Sequence, residues 1–367
     1  CQPAATRMVS NGSAKYGCTI KRQLQTQRKM EQIMPQKTAF ITGISGQDGS
    51  YLAELLLEKG YRVVGLVRRS THFHHENIGH LVGKVTLEHG DLMDASTIED
   101  ILAKHRPDEV YNLAAQSVPA DSWAQPIVTA EITGVGPLRI LEALRKLKLP
   151  ARFYQATSRE IFGGAPQEVV DESTPFLANN PYGVAKLYAH LMMMTYRQSY
   201  DMFACGGILF NHESPRRSLH FVTRKVTMAA ACIALGIKDP PLNELGEPLV
   251  QGGKVRLGNL DAGRDWGYAA EYVEAMWRML QQREPRDYII ATNTYYTNRD
   301  LCQVAFARLG LDWREHVESD PRLMRPTEIA AARGDYSKAK AELGWQPRTQ
   351  FRELIEMMVD EDMRRLS

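Results

Sequence analysis

A short apolar run, Lys37 to Ile41, breaks into Thr42-Gly43-Ile44-Ser45-Gly46-Gln47-Asp48-Gly49 and is followed by an amphipathic stretch, Tyr51 to Lys59. A strand, a glycine turn and a helix in that order leave few folds open to a chain. Glycines let the backbone turn tightly and approach a pyrophosphate, which rests on a helix N-terminus where unpaired N–H groups point at it. The spacing is G-x-x-G-x-x-G rather than G-x-G-x-x-G. Its place directly after a buried-type strand favours nucleotide binding over an ordinary turn. Gly43, Ile44, Ser45, Gly46, Gln47 and Asp48 are the candidate contacts.

The second strand, Tyr61 to Val67, runs into Arg68-Arg69-Ser70-Thr71. A carboxylate here would bind the ribose 2′-hydroxyl of NAD. This chain offers two arginines instead, and guanidinium pairs well with phosphate, which predicts NADP. A third strand, Val85 to His89, ends at Gly90-Asp91-Leu92, where Asp91 is placed either to receive an adenine amino group or to cap the helix beginning near Asp94. Glu109 to Leu113 is the fourth strand, and Ala114-Ala115-Gln116-Ser117 after it are small enough for a cofactor to lie close. A long helix, Pro126 to Leu147, leads to a fifth strand, Arg152 to Ala156. This alternation predicts an α/β fold with a doubly wound parallel sheet and ligands at the carboxyl ends of its strands.

After Phe203 to Phe210 the rhythm loosens. Residues 238–254 hold Pro240, Pro241, Gly246, Pro248, Gly252 and Gly253 and read as a loop or insertion. Helical patterns return at Ala270 to Gln281, Asn298 to Leu309 and Phe351 to Arg364. The expected organisation is an extension over 1–36, a dinucleotide-binding domain with the catalytic helix over 37–210, and a smaller, interleaved substrate-binding lobe over 211–367. The extension carries Arg7, Lys15, Lys21, Arg22, Arg28 and Lys29 against Glu31 alone and reads as a tail rather than an organelle address.

A formal net charge of +2 gives no reason to expect nucleic acid or an acidic membrane as partner. Five scattered cysteines show no C-x-x-C spacing, so neither a disulfide framework nor a zinc site is indicated, in keeping with a cytoplasmic protein. His72-Phe73-His74-His75 lacks completing ligands, because neighbours on an extended segment face opposite ways; no metal is expected.

Tyr182 and Lys186 fall one turn apart on a helix that starts near Pro181. A free tyrosine has a pKa of about 10, and an ammonium beside it favours the phenolate. The pair is therefore a candidate general base toward a sugar or alcohol hydroxyl. Y-x-x-x-K alone is common by chance; T-S-R-E at 157–160 and the glycine turn give it weight.

Six stretches carry a family resemblance: I-T-G-I-S-G-Q-D-G-S-Y-L-A-E at 41–54, Y-N-L-A-A-Q-S at 111–117, F-Y-Q-A-T-S at 153–158, G-I-L-F-N-H-E-S-P-R-R at 207–217, R-D-W-G at 264–267 and R-P-T-E at 325–328. Over about residues 37–366 the chain resembles the extended short-chain dehydrogenase/reductases, of Rossmann type, and within them the GDP-mannose 4,6-dehydratase family. The resemblance implies that Tyr182 deprotonates the hexose 4-hydroxyl, Lys186 holds the nicotinamide ribose, Ser158 (threonine in the family) bonds the same oxygen, and Glu160 removes the C5 proton and assists loss of the 6-hydroxyl. It places Arg68, Arg69, Ser70, Thr71, Asp91, Leu92, Leu113, Ala114, Ala115, Gln116, Ser117, His212 and Arg217 on NADP. It places Asn211, Lys225, Arg264, Arg325 and Glu328 on the GDP-sugar, and it implies a homo-oligomer, dimer or tetramer.

Three departures from the family pattern stand out. Arg159 replaces a small serine and either lowers the pKa of Glu160 or points away from it. Thr71 to His80 replaces a serine- and asparagine-rich loop that reaches a neighbouring subunit, which weakens the tetramer expectation. Ala178-Asn179-Asn180 stands where an arginine is usual, and 238–254 is long. The readings left open are a sugar-nucleotide epimerase or reductase, a dehydratase acting on a modified GDP-sugar, and a catalytically silent nucleotide-binding protein. The last is disfavoured by intact Tyr182, Lys186 and Glu160.

Overall fold

Seven parallel strands build the central sheet of the computed structural model, which describes residues 36–68, 76–324 and 332–367. In chain order these are β1 (Thr38–Thr42), β2 (Arg62–Val67), β3 (Thr86–His89), β4 (Glu109–Asn112), β5 (Arg152–Ser158), β6 (Ala204–Leu209) and β7 (Tyr288–Ile290). Their spatial order is β7-β6-β5-β4-β1-β2-β3, with every pair parallel. The order reverses at β1, which lies between β2 and β4, so the crevice beyond the carboxyl ends of β1 and β4 is the expected ligand site. Helices cover both faces. α1 (Gln47–Glu58) packs with α6 (Ala269–Leu280) on one; α2 (Ala95–His105), α3 (Gly136–Lys146) and α4 (Pro181–Tyr200) lie together on the other. Strands buried on both faces read as continuous apolar runs, and all of β1 and β6 is buried.

The second lobe gathers α5 (Val222–Leu235), α7 (Asn298–Ala307) and α8 (Phe351–Leu366) around their own apolar cluster. Its three-stranded sheet pairs Lys254–Leu257 with Val250–Gln251 and Val317–Ser319, so 238–254 is a turn leading into a hairpin. The lobe is interleaved, because β7 and α6 return to the central sheet. Residues Thr38–Ser367 form one compact unit. No helix among the described residues is long and apolar enough to cross a membrane.

Two local expectations change. The helix expected over Pro126 to Leu147 is three pieces: Pro126–Thr129, a wider π turn over Ala130–Val135, and α3. Pro137 has no N–H to give the preceding turn, and the ladder widens just before it. β5 runs two residues beyond Ala156 and so carries Ser158 at its tip. Residues 1–35, the His72–His75 cluster, Arg69, Ser70, Thr71, Arg325 and Glu328 lie outside the described residues.

A buried side-chain ladder ties the site end of the sheet together. Thr42 Oγ1 donates to Asn112 Oδ1 at 2.6 Å, and Asn112 Nδ2 to Gln155 Oε1 at 2.9 Å. Beside it Gly43 has a φ of +74°, and a Cβ there would lie 2.9 Å from Ala114 N. Both demands exclude larger residues. Gly43→Ala is expected to lower unfolding free energy by more than the ~1–2 kcal/mol of a left-handed residue alone, because backbone cannot yield as a side chain can; urea denaturation checks it.

Candidate active site

Several elements converge on one cleft of about 690 Å³, lined among others by Asp48, Ser117, Ser158, Arg159, Glu160, Tyr182, Lys186, Asn211 and His212. A second cavity of about 1070 Å³, with Lys225, Asn259, Arg264 and Asn298 in its wall, shares Glu160, Asn211 and Phe221 with the first. Glu160 thus stands at the seam. A third groove runs past Ser45, Gly46, Gln47, Arg216 and Arg217 and shares Ser117 and Arg217 with the first cleft.

Asn180 starts α4: its Oδ1 accepts from Gly183 N at 2.8 Å, and Pro181 follows at the first helical position, where a missing N–H costs nothing. One turn on, Lys186 is 4% exposed and its Nζ donates to Ala156 O at 2.7 Å. Burial pushes its pKa down to about 8. Tyr182 corrects the sequence expectation. Burial, and then the charge of Glu160, drive its phenol up rather than down; a hydrogen bond with Ser158 and the charge of Arg217 pull the other way. Lys186 does not acidify it here, because desolvation outweighs an ammonium whose Nζ lies 5.7 Å from the ring centroid and is turned toward a carbonyl.

β5 ends at Ser158, whose Oγ accepts from Glu160 N at 3.3 Å and opens a 3₁₀ turn, Arg159–Phe162. Strand alternation therefore stops before Arg159, which does not point away. It is 3% exposed, lines the same cleft, and places its guanidinium 5.7 Å from the Phe210 ring centroid. Burial brings its pKa to about 10, against the upward pull of Glu160.

The expected dinucleotide residues divide into two groups. Ser45 and Gly46 border the groove, and no side chain caps α1, leaving first-turn N–H groups to a ligand. Leu113, Ala115, Ser117, Asp48, His212 and Arg217 line the cleft. Arg68 is exposed at the tip of β2. Others are occupied elsewhere. Ile44 is fully buried and packs under Gly65. Gln47 Nε2 donates to His212 O at 3.0 Å, and Ser214 Oγ donates to Gln47 Oε1 at 2.8 Å. Gln116 Nε2 donates to Val118 O at 3.2 Å, Ala114 abuts Gly43, and Leu92 is buried beside Gly136. Asp94, not Asp91, caps α2, while Asp91 accepts from Met93 N at 2.9 Å. Of the substrate set, Asn211 and Arg264 line the second cavity, and Lys225 does so paired with Glu244.

Sequence reasoning missed Asn180 as a site residue, although Asn-Pro ahead of a helical run is a readable N-cap. Phe221, Asn259 and Asn298 in the cavity walls carried no signal of their own.

The backbone matches UDP-glucose 4-epimerase from Thermus thermophilus in complex with NAD at a TM-score of 0.75 and 26% identity, over 89% of this chain and 98% of that one. It matches UDP-glucose 4-epimerase from Thermotoga maritima with UDP-glucose at a TM-score of 0.77 and 24% identity, over 90% and 100%. The fold is thus that of the Rossmann-type short-chain dehydrogenase/reductases. A family model described as GDP-mannose 4,6 dehydratase matches residues 40–358. GDP-mannose 4,6 dehydratase 1 of Arabidopsis thaliana is 47% identical over 90% of this chain and 91% of its own length, and the Homo sapiens GDP-mannose 4,6 dehydratase 43% identical over 90% and 92%. The chain belongs to the GDP-mannose 4,6-dehydratase family.

Lys186 holds its proton only below about 8 in the fold, against about 10.5 for an ordinary lysine. If its charge serves turnover, kcat/KM falls as pH rises through about 8; a pH–rate profile checks this. The unfolded lysine keeps its proton longer, so this group makes folding more favourable as pH climbs from about 8 to 10.5.

Proposed function

We propose that this chain converts GDP-D-mannose to GDP-4-keto-6-deoxy-D-mannose: hydride leaves C4, water is lost across C5 and C6, and hydride arrives at C6. The position of Glu160 carries the reading, since its carboxylate borders both the cleft that holds Tyr182 and Lys186 and the cavity beyond it. A base for the 4-hydroxyl and a base for C5–H must act on adjacent ring atoms, and only a residue at the seam reaches the second.

The cleft fits a nicotinamide dinucleotide. An uncapped helix N-terminus faces the groove. When bound, that cofactor supplies the acceptor and then the donor of the hydride. Ser45, Gly46 and Arg217 support its phosphates, Leu113 to Ser117 its middle, and Lys186 the nicotinamide ribose. Arg68 and Arg69 favour NADP through its extra phosphate. Tyr182 takes the proton of the 4-hydroxyl, with Ser158 bonded to the same oxygen. The ketone formed at C4 acidifies C5–H; Glu160 removes that proton and passes it to the departing 6-hydroxyl, which leaves as water, and as hydride reaches C6 a proton returns to C5. Asn211, Lys225, Arg264, Arg325 and Glu328 hold the GDP-sugar. On this reading 37–210 hold the dinucleotide and 211–367 mainly the sugar nucleotide. A cytoplasmic homo-oligomer, dimer or tetramer, belongs to the same proposal, and the exposed stripe Val184, Tyr188 and Leu191 on α4 supports it.

Deuterium placed at C4 of GDP-mannose is expected to appear in the product methyl group, read by mass spectrometry and NMR; retention at C4 or loss to solvent contradicts the cycle. Tyr182→Phe is expected to lower kcat at least ~100-fold, the lower range of general-base effects, in a steady-state assay. NADP is expected to bind more tightly than NAD, and Arg68→Asp to narrow the gap, by titration of the apoprotein.

A further inference from the structure

The carboxamide of Asn180 is committed on both sides. Its Oδ1 accepts from Gly183 N at 2.8 Å, so its Nδ2 faces away from the helix; there one hydrogen goes to Glu160 Oε2 at 2.8 Å and the other to Asn179 Oδ1 at 3.2 Å. The amide orientation is fixed by this, since a flipped group would set oxygen against carboxylate. Asn179 is itself tied down, donating from Nδ2 to Gly163 O at 3.1 Å. Asn180 is 9% exposed and Glu160 6%. The first turn of α4 is also pressed against the backbone of Glu160: a Cβ at Gly183 would meet Glu160 O at 2.6 Å.

One oxygen of Glu160 is thereby anchored, while the other, Oε1, takes no hydrogen bond from the described residues, in a side chain that borders both cavities. The same side chain that anchors it also sets the start of the helix carrying Tyr182 and Lys186. We propose that Asn180 is a positioning residue that holds Glu160 in register with Tyr182, so that the carboxylate meets C5–H after oxidation at C4. A charge-assisted hydrogen bond from a neutral amide holds the carboxylate's orientation without neutralising it, as a base requires. The proposal rests on the reading of Glu160 as the C5 base.

Asn180→Ser separates the two duties. Serine caps a helix as well as asparagine but is too short to reach Glu160. In the full-length protein with bound cofactor and GDP-mannose, N180S is expected to keep its thermal midpoint and KM. Its kcat should fall roughly 100-fold, the scale of an ~1 Å misplacement, while reduced nicotinamide builds up in stopped-flow absorbance because C4 oxidation outruns elimination. Asn180→Asp, also a good cap, sets a second carboxylate against Glu160 and is expected to stall at the same step, so one variant suffices if the other does not fold. Wild-type turnover in either variant, or slow turnover without reduced cofactor, overturns the proposal. Glu160→Gln is the control. If it turns over normally, the assignment of Glu160 falls and the positioning role with it; if it stalls while N180S does not, only the positioning role falls.

Discussion

Asp48 and His212 meet at 2.8 Å, and the cleft depends on that contact. Nδ1 of the ring faces Phe210 O at 2.7 Å, so the imidazole has an acceptor at each nitrogen and is suited to carry both protons. Burial alone would pull the ring down, but the charge and hydrogen bond of Asp48 hold it above the ordinary histidine value. The carboxyl of Asp48, which burial pushes up, is held low by His212 in return. Neither charge is tolerable there without the other, because removing an ion from water costs several kcal/mol. The pair fixes the glycine turn against residues 211–217. Gln47 bonds both His212 and Ser214, and Arg216 reaches Ser50 and Glu54. Apolar area brings two segments near each other; a set of directional bonds of this kind sets their register, and catalysis across a seam needs register.

Strands such as β1 and β6 were legible because burial on both faces leaves uninterrupted apolar runs, and α4 because Pro181 marks its start. Pairings of two or three residues, such as Asn211–Glu213 with Trp266–Tyr268, have no period to read. The widened turn at Ala130–Val135 hid inside a sound helical pattern, because the cue was a single proline seven residues after its start. At Asp91 the sequence left adenine binding and helix capping open, and the backbone gave the cap to Asp94 instead. The acidity of Tyr182 was misjudged for a related reason. Spacing along a helix reports which side chains are neighbours, whereas desolvation depends on everything packed around them.

That same desolvation acts on Tyr182, Lys186 and Arg159 alike, in each case against the charged form. A site that resists charge when closed on itself strengthens every interaction with the charge a ligand brings. Arg159 is the case that distinguishes this chain. A guanidinium with a pKa of about 10 remains a cation at neutral pH, and it occupies cleft wall where the family resemblance implies a small serine. Glu160 follows this cation in the chain and accepts a hydrogen bond from the Asn180 amide at 2.8 Å. The amide fixes where the carboxylate points. Arg159 and Asn180 thus bear together on one buried carboxylate: the guanidinium puts a cation in the same cleft wall, and the amide sets the direction in which the carboxylate faces.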